Sequence, residues 1–242
     1  MNIDPASLVR LVPEAVEPGD TTGQESLKLH EERYRFAARH VRPGRMLDIA
    51  CGVGYGTRLV VDESNVPLTA LGVDLSEEAI TYASEHYSQP GTSFLAADAM
   101  SYRDDDGFDT IVSLETIEHL PQPGQFLDGI LTLLKPGGSL VVSAPSAPTK
   151  DVNPHHLHDF TESSFRRLFE RYDLTEEGAL RQNQPVSLLS VIRRDETRMR
   201  DRRPNLPLHY LRHPGALMTR IGATFRYGFS NRYLTIAWQR TA

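Results

Sequence analysis

Met46-Leu47-Asp48-Ile49-Ala50-Cys51-Gly52-Val53-Gly54-Tyr55-Gly56 is the stretch that decides the reading of this chain. Its first half is a short buried-strand pattern. The glycines that follow let the backbone turn sharply and approach a ligand, just before a helical stretch begins. In an open α/β sheet such a turn lies at the carboxyl edge, where nucleotides bind. A glycine-rich turn can also be a plain strand-to-helix connection, so the surrounding sequence has to decide.

Outward from this stretch, short apolar runs near 46–50, 69–74, 93–97, 108–114 and 139–144 alternate with helical patterns, the signature of βαβ units and a mostly parallel sheet. Ser76 is placed to cap a helix whose positive first turn carries Glu77 and Glu78, and Phe126, Ile130 and Leu134 mark another that stops at Lys135-Pro136-Gly137-Gly138. Thr161 precedes a helix with Phe165, Leu168, Phe169 and Tyr172 on one face. Upstream, Pro5, Pro13, Pro18 and Gly19 interrupt any regular element. A helix then starts at Thr22, with Glu25 at capping-box spacing, and carries Leu27, Tyr34, Ala38 and Val41 on one face until Pro43-Gly44. Residues 1–45 thus read as an N-terminal arm and helix.

The length of 242 residues fits a single domain over 1–242. A formal charge of −6 gives no global pull toward nucleic acid. The start, Met1-Asn2-Ile3-Asp4-Pro5, lacks the basic and apolar regions of a secretory signal, and no apolar run is long enough to cross a bilayer, so a cytoplasmic protein is expected. Cys51 is the only cysteine, which excludes an internal disulfide and a cysteine-rich zinc site. In its glycine loop it reads as a small residue rather than a nucleophile.

Charge separates the candidate ligands. A dinucleotide fingerprint would need a third glycine where Thr57 stands, and the Asp48 carboxylate before the loop would repel a pyrophosphate but attract a sulfonium or an α-amino group. This favours S-adenosylmethionine over NAD. Asp74 ends the next strand, placed to accept from both ribose hydroxyls, and Asp98 ends a third, placed to accept from an adenine amino group. Either alone reads as an ordinary strand-end or capping carboxylate; together with Asp48 they recur at the ends of successive strands.

Leu47-Asp48-Ile49-Ala50-Cys51-Gly52-Val53-Gly54, Gly72-Val73-Asp74-Leu75, Ala97-Asp98-Ala99, Phe108-Asp109-Thr110-Ile111-Val112 and Leu134-Lys135-Pro136-Gly137-Gly138 follow in the order and spacing of class I S-adenosylmethionine-dependent methyltransferases. The chain resembles that family over residues 24–180, with a last strand at 233–239. The resemblance implies a doubly wound, Rossmann-like α/β fold: a seven-stranded, mostly parallel sheet with helices on both faces and an antiparallel strand near its edge. It also implies methionine binding at Asp48, Gly52 and Gly54, with Ala50 in the same turn, ribose binding at Asp74, and adenine contacts from Leu75, Asp98 and Ala99.

On the acceptor side, if Glu115-Thr116-Ile117-Glu118-His119 opens a helix, Glu115, Glu118 and His119 share one face. The competing reading has the glutamates favouring a helix N-terminus and His119 bonding a backbone carbonyl. Asn153-Pro154-His155-His156-Leu157-His158-Asp159-Phe160 follows the fifth strand at the same edge, where a histidine could take a hydroxyl proton or bind a metal. These two segments resemble metal-dependent O-methyltransferases, including small-RNA 2'-O-methyltransferases, enzymes of ubiquinone pathways and enzymes of sugar, glycolipid and polysaccharide pathways. The resemblance implies a divalent cation (Mg, Mn or Zn) on Glu115, Glu118, His119 and His156, with His119 and His156 as catalytic candidates. His158-Asp159-Phe160 departs from the aromatic, glutamate and tryptophan of the RNA enzymes, which argues against RNA. The expected acceptor is therefore a hydroxyl of a small molecule or glycan, with a phenolic or quinone-precursor hydroxyl or an RNA ribose 2'-hydroxyl as the alternatives. A non-catalytic cofactor-binding partner subunit is the alternative of another class.

Residues 181–230 form a long connection before the last strand, read as an insertion, a lid or a dimer contact. Arg193, Arg194, Arg198, Arg200, Arg202 and Arg203 are interleaved with Asp195, Glu196 and Asp201, the pattern of a salt-bridged solvated helix or of a site for an anionic acceptor. With the apolar stretch that follows, a peripheral membrane contact is a further expectation.

Overall fold

The computed structural model describes residues 11–149, 153, 155–185, 205–228 and 230–241. Seven strands, β1 (Gly44–Ile49), β2 (Leu68–Asp74), β3 (Thr92–Ala96), β4 (Phe108–Ser113), β5 (Leu134–Pro145), β6 (Leu174–Pro185) and β7 (Ser230–Arg240), form one sheet in the order β3-β2-β1-β4-β5-β7-β6. All pairs are parallel except those made by β7, which runs antiparallel between β5 and β6. This is the expected doubly wound arrangement. The strand order reverses direction between β1 and β4, which opens a crevice at their carboxyl ends.

Successive strand residues alternate between two cores. Met46, Ala70, Val112 and Val141 pack with Tyr34, Ala37 and Val60 of α1 (Thr21–Ala38) and α2 (Tyr55–Glu63). Leu47, Ile49, Val73, Ile111 and Leu140 pack on the other face with Phe126, Leu127 and Ile130 of α4 (Pro123–Leu133) and with Phe165 of α5 (Glu162–Arg167). The remaining βα connection is α3 (Glu77–Tyr87), capped by the Ser76 hydroxyl accepting from the Ala79 amide, as its sequence predicts.

Six expectations need correction. Two concern the ends of later helices: α4 stops at Leu133 and Leu134 already opens β5, and α5 stops at Arg167, before Leu168, Phe169 and Tyr172. The first helix is capped not by Thr22 but by Asp20, whose carboxylate accepts from the Gly23 amide at 2.9 Å; a carboxylate directly after Pro18-Gly19 caps as well as a hydroxyl does. That helix ends at Ala38, before Val41. Residues 115–119 do not open an α-helix: Glu115 has φ 52°, and only Ile117–His119 make a single 3-10 turn. The insertion starts later than residue 181, because β6 runs to Pro185 and pairs there with Ser230 of β7. Its described part is α6 (Leu206–Arg212) and α7 (Pro214–Tyr227). The arginine-rich stretch 193–203 lies outside the described residues. No described helix is long and apolar enough to cross a membrane.

Candidate active site

The glycine turn joins β1 to α2 through three left-handed residues, Ala50 (φ 64°), Gly52 (φ 58°) and Gly54 (φ 86°). At Gly54 a side chain is excluded twice over: the backbone is left-handed, and a Cβ would stand 2.6 Å from the Ala83 Cβ and 2.7 Å from Phe94 Cε1. A Cβ at Gly56 would stand 2.0 Å from the Tyr34 ring. These two glycines let α2 pack closely, while Gly52 makes a polar contact, its amide donating to Asp74 Oδ2 at 2.9 Å. The Ser76 amide donates to Asp74 Oδ1, also at 2.9 Å. The carboxylate at the end of β2 thereby ties the glycine turn to the start of α3, and with about four lone-pair sites a carboxylate can accept more than those two bonds.

Asp48 is buried beside this turn. Its Oδ2 accepts from the Thr57 hydroxyl at 2.6 Å, and Oδ1 has no hydrogen bond of its own. Burial raises the Asp48 pKa to about 7; the Thr57 bond opposes this, the Asp74 charge adds to it, and the Tyr34 hydroxyl pulls it down. A carboxylate with an unpartnered buried oxygen, and no cation against it among the described residues, suits a ligand that brings an ammonium or a sulfonium. Beyond Asp74, Leu75 is 73% exposed at the end of β2. Asp98 and Ala99 follow the paired end of β3, where Asp98 accepts from the Met100 amide at 2.9 Å in an exposed turn. Leu75 offers an apolar surface for a planar ring and Asp98 an acceptor. The predicted cofactor residues thus lie along one edge of β1, β2 and β3.

On the acceptor side three of the four predicted ligands come together. One ligand atom each from Glu118, His119 and His156 lie within 4.8 Å of one another. His119 Nδ1 hydrogen-bonds the His155 carbonyl at 3.0 Å, which leaves Nε2 facing Glu118 Oε1 at 3.8 Å. His156 Nδ1 bonds the Thr149 hydroxyl at 2.6 Å, and its ring meets that of His119 edge-on at 4.7 Å. The carbonyl partner that the competing reading expects for His119 is therefore present, and it holds the ring with Nε2 toward Glu118.

Glu115 is the residue left out. Its amide donates to Ser143 Oγ, and its Oε1 receives the Ser143 hydroxyl at 2.7 Å and lies 4.0 Å from Arg33. Glu118 is buried with Oε2 unpartnered, and burial followed by the Glu115 charge holds its pKa well above the ordinary carboxylate range. Burial lowers both imidazoles, His156 to about 3 with further depression from His119 and His155. The cluster thus combines neutral imidazoles with a carboxyl group short of positive charge, a set that fits a divalent cation. His158 is a strut: its Nε2 bonds the Leu120 carbonyl at 2.9 Å.

Arg33 was not singled out by sequence. Its side chain is fully buried, donates to Gln182 Oε1 at 3.3 Å and lies 4.6 Å from the centre of the Tyr233 ring. The available signal was its register: Leu29, Arg33 and Ala37 recur every four residues, placing a charge on the apolar face of α1. A recess of about 340 Å³ lined by Arg45, Thr69 and Gly91 opens at the opposite, amino edge of the sheet and gathers no comparable groups among the described residues.

The sequence matches the methyltransferase domain family over residues 41–184, more than half of the chain. The chain belongs to that family. This methyltransferase domain is 37% identical over 108 residues to the ubiquinone biosynthesis O-methyltransferase of Burkholderia orbicola, a match covering 42% of this chain and 44% of that protein. The chain thus spans less than half the length of the curated relatives it matches. Among solved structures, a putative methyltransferase from Bacillus halodurans superposes with a TM-score of 0.63 at 15% identity, covering 88% of this chain and 99% of that one. The N-methyltransferase NodS from Bradyrhizobium japonicum, solved with S-adenosyl-L-homocysteine, gives 0.60 at 16% identity, covering 93% and 90%. At these identities the structural likeness establishes the fold of the methyltransferase domain.

Proposed function

We propose that this methyltransferase domain transfers the methyl group of S-adenosylmethionine to a hydroxyl of a small molecule, with a phenolic hydroxyl of the quinone-precursor type as the acceptor. The observation that carries the reading is the convergence of Glu118, His119 and His156 at the same sheet edge as Asp48 and Asp74. When bound, the cofactor supplies an electrophilic methyl on a positively charged sulfur. Asp48 offers its unpartnered Oδ1 to the cationic end, Asp74 accepts from the ribose, and Leu75, Asp98 and Ala99 border the adenine. The acceptor hydroxyl loses its proton at the cluster as its oxygen takes the methyl, and S-adenosylhomocysteine leaves.

Basicity favours the phenol. Burial weakens the His119 and His156 imidazoles as bases, and a phenol, which ionises near pH 10, asks less of a weak base than an alcohol does. A divalent cation on Glu118, His119 and His156 would lower the acceptor pKa further and orient the oxygen. The names of the curated relatives, O-methyltransferases of ubiquinone biosynthesis, agree with a phenolic acceptor. A sugar or glycan hydroxyl, the first sequence expectation, has no observation of this kind in its favour. Turnover with paired phenolic and sugar acceptors, followed by mass detection of the methyl ether, tests the assignment.

A further inference from the structure

From Asn205 to Gly228 the chain has three arginines (Arg212, Arg220, Arg226), two histidines and no aspartate or glutamate, although the whole protein carries a net charge of −6. This acid-free segment forms α6 and α7, and its large apolar side chains point away from the domain. Leu211 is 79% exposed, Met218 67% and Phe225 90%, with Leu208, Leu217 and Ile221 exposed beside them. On α7, Leu217, Met218, Ile221 and Phe225 occupy one face at i, i+1, i+4 and i+8. The opposite face holds the domain: Ala223 is buried, and Arg220 donates to the Pro148 carbonyl at 2.9 Å. The helix is therefore seated by its inner face, and among the described residues its more apolar face is uncovered.

We propose that α6 and α7 form a docking surface for an anionic lipid bilayer. A stripe of leucine, methionine, isoleucine and phenylalanine flanked by basic residues and free of acidic ones fits an interface with an apolar interior and negatively charged headgroups. Exposed singly, such side chains would need no explanation; here six of them are exposed on two short consecutive helices. The absence of acidic residues selects the anionic bilayer as partner, because the rest of the chain is net negative and would be repelled from it.

The patch also borders the acceptor cluster. Pro148, which holds Arg220, precedes Thr149, whose hydroxyl bonds His156 Nδ1. Docking would bring the acceptor edge to headgroup level, which, resting on the O-methyl transfer proposed above, suits an acceptor whose hydroxyl sits there on a bilayer-embedded tail.

Sedimentation of the full chain with vesicles tests the surface without recourse to turnover. Binding is expected to phosphatidylcholine vesicles containing about 30 mol % phosphatidylglycerol, at least tenfold weaker to pure phosphatidylcholine, and weakened by salt. The variant Met218→Glu/Phe225→Glu is expected to lose at least about tenfold in partitioning while keeping S-adenosylhomocysteine affinity and turnover of a water-soluble phenol, and Met218→Leu/Phe225→Leu to retain binding. Absence of binding to anionic vesicles, or equal binding by the glutamate variant, overturns the proposal. So does a wild-type dimer that ignores vesicles and becomes monomeric in that variant, which would assign the patch to a second copy of this chain.

Discussion

The Thr57 hydroxyl, in the first turn of α2, donates a 2.6 Å hydrogen bond to Asp48 Oδ2 at the end of β1. Thr57 occupies the position where a dinucleotide fingerprint would place its third glycine, so the departure from that fingerprint has a physical use. It steadies a buried carboxylate that a pyrophosphate site would not tolerate.

At the cofactor site proposed above, that carboxylate is expected to make binding pH-dependent. Its pKa rises from 3.8 to about 7 on folding. Its contribution to stability is therefore complete below about pH 4 and is lost as pH rises through about 7. Cofactor affinity runs the opposite way, because only the ionised form attracts an ammonium. Calorimetric titration with S-adenosylhomocysteine is expected to show affinity increasing from pH 6 to 8 by about tenfold, with proton release. Asp48→Asn should bind weakly at every pH, and Thr57→Val should move the transition upward.

Asp74 holds the Gly52 and Ser76 amides as well as the proposed ribose. Asp74→Ala is expected to weaken S-adenosylhomocysteine binding by about 100-fold or more, since hydrogen bonds to a charged group are each worth about 1.5–3 kcal/mol. Unchanged affinity by titration would remove Asp74 from the site.

Packing at the glycine turn predicts a graded stability series. Gly54→Ala places a Cβ in a left-handed residue against Ala83 and Phe94 and should cost about 2–4 kcal/mol. Gly56→Ala, driven into the Tyr34 ring, should cost a similar amount, whereas Gly129→Ala, inside α4 with nothing within 4 Å, should stabilise by about 0.5–1 kcal/mol. Urea denaturation of the three variants gives the order.

The half of the site nearest the glycine turn was legible because strand ends announce themselves: an apolar run stops, and Asp48, Asp74 or Asp98 stands at the stop. The acceptor half was only partly so. Glu115, Glu118 and His119 fit one helical face by spacing, and nothing in the residue names reveals that Glu115 is left-handed and turned toward Ser143. The end of β6 was hidden for another reason. Its polar run Arg181-Gln182-Asn183-Gln184 reads as loop, yet Gln182 and Gln184 are buried, and their amides donate to Leu29, Glu32 and Ser26 of α1. Such long-range satisfaction of polar groups leaves no local trace in sequence, and the same holds for Arg33.

The acceptor cluster predicts a metal response. Manganese at 100 times its dissociation constant should stabilise the protein by about 2.7 kcal/mol, visible as a rise in Tm. Glu118→Gln and His156→Ala should abolish that rise, and Glu115→Gln should preserve most of it, since Glu115 lies outside the converging group. Chelation should lower turnover, and manganese should restore it. A metal-free protein, verified by elemental analysis, with full turnover would exclude the cation and leave the proton transfer to His119 or His156.

Methyl transfer itself is tested by incubating the protein with S-adenosylmethionine carrying a labelled methyl group and a panel of catechols and sugars, then identifying the labelled product by mass. The predicted result is a methyl ether on a catechol hydroxyl, lost in both Asp74→Ala and Glu118→Gln. A protein that binds S-adenosylhomocysteine but labels no hydroxyl in any acceptor, or that places the label on nitrogen or carbon, would contradict the account.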